Sequence, residues 1–394
     1  LILSNCPESW IEDFGDSDPV TLHRAHIYLD ANVQQSVRLW FWHLNRIEDE
    51  STAFLRILVK MLNSGETASL SNVKYQYDVV SSSTGMATLG QCLAVAQMKR
   101  SYQSGTGQSV TSTEMSLSSP LGTIEVPYNQ VVGGVVEFDL ESEEDAVFII
   151  RFVGTRNAAS VGSSSQSVWP LSNHLVDGTA HIRGTWPQSN LELSYSGDPF
   201  NALDTQPSMG SPPVAGADDV RHYDVLESNG IHYWNSSSSD ESGPFGSETG
   251  GPNATSNKGL YGVDLILRTH VKNSDPSFPR PIQHFFAPRC SGSNVNDPRG
   301  KFWGAGAVDS GFPYTGSTCG IPRMRFKGIT TTCDATNFPP NSADIGSIEF
   351  PYITVNANTT DQLLRYYLVI GGASDLPASL AQTRIAIAQA QEPD

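Results

Sequence analysis

Nine histidines and two acidic runs are the residues through which this chain could do chemistry, and their spacing limits what that chemistry is. His23 and His26 are the one close histidine pair, and on a strand an offset of three points them to opposite faces, so they make a poor joint metal site. His43 closes a strand-like segment, where a ring N–H donating to a neighbouring carbonyl accounts for it. Asp13, Asp16 and Asp18 alternate beside Gly15, which supplies the hard oxygen donors that calcium takes. That run lacks the distal bidentate glutamate of a full calcium loop. Calcium is nonetheless the cofactor these acids would suit. Glu141, Glu143, Glu144 and Asp145 form a second acidic stretch, which reads as a solvated turn.

No G-x-S-x-G elbow and no H-E-x-x-H pair occurs, so neither an activated serine nor a metalloprotease helix is indicated, and no residue is assigned a catalytic role. Gly304 to Val308 opens no strand-to-helix turn, which argues against a phosphate cradle. Paired carboxylates need no fixed spacing in sequence, so a glycoside hydrolase or lyase on a β scaffold stays as an alternative. Trp40, Trp42 and Trp234 are candidates for a carbohydrate platform, although large aromatics equally fill sandwich cores. Five cysteines, Cys6, Cys92, Cys290, Cys319 and Cys333, include no C-x-x-C pair and suit disulfides better than a metal. Five is odd, so one is left over. Cys6 and Cys92 read either as a long-range staple or as two buried thiols.

The elements that would position these residues are strands. Residues 33–43 alternate through Val37, Leu39 and Phe41, as a half-buried strand does, with Trp40 and Trp42 on the other face. Ala53 to Leu62 reads as a strand in spite of the Arg56 and Lys60 spacing, and Ser71 to Val80 resumes the alternation. One helix is expected from about Thr84 to Arg100, where Met86, Leu89, Leu93 and Ala96 fall near helical spacing and Lys99 and Arg100 sit at the C-terminal end. Further strands are expected at 123–126, 131–140, 146–153, 179–184, 191–195 and 261–271. The last four fall at 323–329, 347–355, 363–370 and 383–390, and the final one, near the chain end, reads as an edge strand open to pairing.

This cadence gives an all-β chain of two β-sandwich-like domains with long polar loops and one short helix. The first domain is placed at residues 1–160 and the second at 165–394, with a long loop insertion at about 197–259. The boundary follows the Gly- and Ser-rich stretch 154–167. Arg38 to Asn45 and Val263 to Asn273 share a theme, a long alternating strand ending near an asparagine and a turn. It fits two related sandwiches or the common grammar of β sheets.

Twenty-four Lys and Arg against forty-one Asp and Glu leave a net charge of −17, a field that repels phosphate backbones and anionic lipid heads, so nucleic acid is not an expected partner. No stretch approaches the ~20 apolar residues of a membrane-spanning helix. The numbering opens on Leu1 instead of Met, which reads as a processed chain whose leader is expected to be a secretion signal, although a trimmed sequence would open the same way.

Three segments carry a family resemblance. Leu1-Ile-Leu-Ser-Asn-Cys-Pro-Glu8, Arg38-Leu-Trp-Phe-Trp-His-Leu-Asn45 and Lys258-Gly-Leu-Tyr-Gly-Val-Asp264 resemble, in that order, landmarks of a family of secreted cyanobacterial proteins of unknown function. The resemblance implies an exported, β-rich surface protein and brings no catalytic residues with it. The function expected is therefore that of an extracellular or cell-surface structural protein, a homo-oligomer or polymer forming a fibre, sheath or surface layer. A carbohydrate-binding module or adhesin, with a glycan as partner, is the alternative.

Overall fold

The protein is described from a computed structural model that covers residues 1–5, 9–10, 18–47, 49, 51–62, 67–83, 85–163, 183–186, 188–194, 199–202, 221–226, 260–288, 304–308, 348–350, 353–372 and 378–384. Among these, residues up to 89 and from 101 to 189 form one compact unit, and residues 90–100 with those from 190 to 231 and from 258 onward form a second. Both are built from strands, as the alternating patterns predict.

The first unit holds β1 (Ile2–Ser4), β2 (Ser9–Trp10), β3 (Val20–Leu29), β4 (Gln35–Asn45), β5 (Ala53–Met61), β6 (Ala68–Ser81), β7 (Gln103–Ser104), β8 (Gln108–Val110), β9 (Met115–Ser116), β10 (Ile124–Val126), β11 (Gln130–Glu141), β12 (Ala146–Thr155) and β13 (Arg183–Thr185). One sheet runs β13-β1-β4-β11-β6, with β7 and β8 beyond β6 and β2 on β4, and the other runs β10-β5-β12-β3 with β9 on β5. The pairing is nested. β5 pairs with β10, β4 with β11 and β3 with β12, all antiparallel. A long two-stranded ribbon folded so that its middle pair lies in one sheet and its flanking pairs in the other has jelly-roll winding.

Period-two alternation turns one face of each sheet inward. Val37, Leu39 and Phe41 of β4 join Ile57 and Val59 of β5, Val132, Val136 and Phe138 of β11, and Phe148, Ile150 and Phe152 of β12 in a single buried cluster. Each such side chain contributes about 1.5–3 kcal/mol on burial. Gly133 and Gly134 sit in the middle of β11, where glycine weakens a strand. They lie opposite Trp42 and Phe41 in register. A Cβ on Gly134 would stand 2.4 Å from Phe41 Cζ and one on Gly133 2.6 Å from Trp42 Cε3, so the glycines make room for rings lying across the strand.

The helix α1 (Met86–Lys99) forms where the 3.6-residue spacing predicts it. Arg100 ends it in the left-handed region at φ 53°, and its guanidinium donates to Gln97 O at 2.7 Å. The later turns of α1 belong to the second unit. Ala94 and Met98 pack there with Val369, and the Asp264 carboxylate accepts from Gln97 Nε2 at 2.8 Å and from the Arg100 guanidinium.

The second unit holds β14 (Asn190–Ser194), β15 (Phe200–Asn201), β16 (Arg221–Leu226), β17 (Asp264–Asn273), β18 (Arg280–Pro288), β19 (Gly304–Val308), β20 (Ile348–Glu349), β21 (Ile353–Val355), β22 (Thr359–Ile370) and β23 (Ala378–Arg384). Its sheets run β14-β17-β22-β19 and β16-β23-β18-β20, with β15 on β17 and β21 on β18. The nesting recurs: β18 with β21, β17 with β22, β16 with β23. β14 and β15 lie parallel to β17 as β1 and β2 lie parallel to β4. β19 flanks β22 as β6 flanks β11. The shared theme of residues 38–45 and 263–273 is thus no mere β grammar: β4 and β17 hold the same place in two copies of one winding.

β23 is flanked by β16 and β18 over residues 378–382, with Gln382 opposite both Arg221 and His284, while Thr383 and Arg384 pair with β18 on one side. The edge strand expected at 383–390 overlaps the described residues only at those last two positions. The partners of β23 come from far up the chain, which strand cadence does not reveal. Residues 385–390 and the strand expected at 323–329 lie outside the described residues.

Candidate functional site

Trp40 and Trp42, the candidate platform, are each 2% exposed, and their indoles stack on one another with centroids 6.0 Å apart. They occupy the face of β4 away from Phe41, as alternation requires, but that face is covered, with Leu89 and Trp42 converging over Gly133. A surface for sugar stacking is therefore not what they provide. Trp234 lies outside the described residues.

Of the candidate calcium ligands, Asp13 and Asp16 lie outside the described residues. Asp18 accepts the Arg156 N–H at 3.1 Å, a bond that ties the start of β3 to the end of β12. Among the described residues no group of three or more His, Cys, Asp or Glu is placed to hold a metal ion. The second acidic run serves a turn: Asp145 Oδ1 accepts the Ala31 N–H at 2.9 Å, and Asn32 donates from its backbone to Ser142 O at 2.8 Å. Cys92 is a free, exposed thiol on α1, so it is neither half of the staple nor the buried thiol that the sequence left open. Cys6, Cys290, Cys319 and Cys333 lie outside the described residues.

The residues brought together for more than packing lie at one end of the first core. The expected opposite facing of His23 and His26 holds, and a β-bulge decides which of them turns inward. Thr21 faces Val153 and His23 faces Phe152, so Leu22 is the extra residue. The inward positions shift from Val20 and Leu22 to Ala25, Ile27 and Leu29, and His23 joins the second set. Its ring lies on Phe152, centroids 5.9 Å apart and 9° from parallel, fully buried, and neither ring nitrogen has a hydrogen-bond partner among the described residues.

Beside it stands a polar group drawn from three strands. His43 of β4, also fully buried, shares a 3.0 Å hydrogen bond between Nε2 and Ser4 Oγ of β1 and stacks on Trp10. At Nε2 its partner is a hydroxyl. Ser4 faces Arg183 of β13 in register, and the buried Arg183 guanidinium donates to Leu22 O at 2.6 Å, next to His23. Burial holds the His23 imidazole well below the usual histidine range, with the Arg183 guanidinium and the His43 ring adding to the effect. The histidine is thus kept neutral in a buried site. Sequence reading missed this cluster, whose one signal is a histidine between Leu22 and Ala25 in an otherwise apolar strand.

A second arrangement occurs twice. Asn45 ends β4, and its Nδ2 donates to Ser51 O at 2.9 Å and Val126 O at 2.8 Å while Oδ1 accepts the Ile47 N–H at 3.1 Å. Asn273 ends β17, with Nδ2 donating to Phe278 O at 2.8 Å and Val355 O at 3.0 Å and Oδ1 accepting the Asp275 N–H at 3.1 Å. Three residues past Val126 and Val355 come Asn129 and Asn358, with left-handed φ of 60° and 57°. Asparagine tolerates that region better than most residues. Each corner joins the turn after the middle strand to the strand that begins the return of the ribbon.

No protein-family model matches the chain, and no curated protein matches it. Among solved structures, the N-terminal CBM22-1–CBM22-2 tandem domain of Paenibacillus barcinonensis Xyn10C is similar at 10% identity, over 88% of this chain and 74% of that one, with a TM-score of 0.13. A likeness of that size carries no argument about fold or function.

Proposed function

We propose that this chain is an exported structural protein, a building block that assembles with copies of itself into a coat, sheath or shell. The observation that carries this reading is the occurrence of one jelly-roll winding twice in a single chain. Jelly rolls form the shells of viral capsids and also serve lectins and cupins, so the fold narrows the choice without making it. Two copies of one sandwich give the chain two versions of each lateral surface, and repeated surfaces are what closed or extended assemblies are made from. The polar side chains described above are spent on corners, turns and clamps, which stiffen a block. The glycan-binding alternative loses Trp40 and Trp42 as stacking surfaces.

The test is negative-stain electron microscopy together with sedimentation velocity of the purified chain across a concentration series. Regular particles, sheets or filaments are expected. A strictly monomeric species at the highest concentration, in both low and moderate salt, overturns the reading.

A further inference from the structure

We propose that His23 is an acid-sensitive lock in the first unit, its protonation placing an uncompensated cation in the core beside Arg183 and releasing β3 from its sheet. The proposal goes beyond the assembly reading and does not depend on it. β3 ends its sheet, bonded along its length to β12. Among the described residues it has a strand neighbour on one edge alone, so it can leave the sheet without parting two other strands. Among the described residues, the elements against His23 supply nothing that would stabilise a charge. β12 offers the Phe152 ring, β4 offers His43, β1 offers the Ser4 hydroxyl already shared with His43, and β13 offers Arg183, of like charge. His23's own strand carries Arg24 next to it and His26 on the opposite face. No carboxylate among the described residues acts on it.

A neutral buried imidazole with neither nitrogen paired is costly to keep, about 1–3 kcal/mol per unsatisfied group. Leucine or phenylalanine would fill the same apolar position at no such cost. What the imidazole adds is a proton site that the folded core refuses and the opened strand accepts. The folded-state value is depressed below 6.5, so the opened form binds the extra proton as pH falls below that value, and the closed form loses its advantage. Well below 6.5, one proton of difference makes opening about tenfold easier per pH unit, which gives roughly 30-fold between pH 7.5 and 5.

Hydrogen–deuterium exchange of the full chain, read by mass spectrometry on β3 peptides and corrected for intrinsic rates, tests this at pH 7.5, 6 and 5. Wild type is expected to lose protection in β3 by roughly 30-fold on acidification while β18 holds, and His23→Phe and His23→Leu are expected to keep it. Equal loss in the variants, or retained protection in wild type at pH 5, overturns the proposal. Should both variants fail to fold, histidine-labelled wild type is titrated by NMR. A His23 ring that stays neutral until the fold opens supports the lock, and one that titrates at an ordinary value within the folded protein refutes it.

Discussion

Asn45 and Asn273, 228 positions apart, make the same three hydrogen bonds, two from Nδ2 to carbonyls on either side of a corner and one into Oδ1 from the backbone two residues ahead. Both side chains are fully buried. An alanine at either place would strand the carbonyl of Val126 or Val355 in the interior, where an unsatisfied group costs about 1–3 kcal/mol. The equivalence predicts equal damage from equal changes. Asn45→Ala and Asn273→Ala should each cost on the order of 3 kcal/mol, one in each unit. Aspartate should do worse, since a carboxylate facing two carbonyls replaces two donors. Urea unfolding followed by exchange on β4 and β17 peptides checks this, and a variant that loosened both units equally would count against two independent corners.

How much of this was legible beforehand depends on distance along the chain. The period-two run through Val37, Leu39 and Phe41 is local, and it gave β4 directly. The helix over 86–99 was equally plain from its apolar spacing. The partner of Asn45 is Val126, 81 positions on, and no local pattern announces that bond. The repeated theme of a strand ending in asparagine was visible, but its meaning rests on the return strand, which sequence spacing leaves open. Parity put Trp40 and Trp42 on the outward face correctly, yet whether such a face is wet depends on what packs over it. His23 was hidden for another reason. A one-residue bulge at Leu22 changes which face an odd-numbered residue meets, and bulges leave little trace in composition.

Arg151 supplies a second measurable consequence. It is fully buried on β12, and Glu114 accepts from its Nη2 at 2.5 Å and from its Nε at 3.2 Å. The carbonyls of Val161 and Ser163 accept from it at 2.6 and 2.7 Å, and Thr21 Oγ1 accepts at 3.0 Å. Glu114→Gln leaves a buried guanidinium without its counter-ion and should cost about 3–5 kcal/mol. Arg151→Met in the same background should recover part of that loss, since an apolar side chain needs no partner. Residues 161–163 would then be cut faster by protease, because their carbonyl anchors are gone. A double variant no more stable than Glu114→Gln alone would show that the ion pair is not what holds this region.

Acid acts on the second unit through a different group. Asp275 follows Asn273 in the corner after β17, where its Oδ1 accepts the N–H of Ser277 at 2.9 Å and of Phe278 at 3.0 Å and its other oxygen binds the Arg280 guanidinium. The Ser277 N–H, and after it Arg280, hold the carboxyl below its usual value of 3.8. Folding therefore favours the ionised form. That stability is fully present above 3.8 and is lost as pH falls through the lower folded-state value, where the proton removes the acceptor and the ion pair together. Asp275→Asn keeps an oxygen for the two N–H donors but has no charge to lose. Its unfolding temperature should lie below wild type at pH 6 and fall less between pH 4.5 and 3, so that the two curves converge. The window lies well below that in which His23 responds, so exchange at β17 and β18 should still be slow at pH 5 and rise near pH 3. Parallel melting curves for Asp275→Asn and wild type over that interval would mean that the corner carboxylate contributes nothing to acid stability.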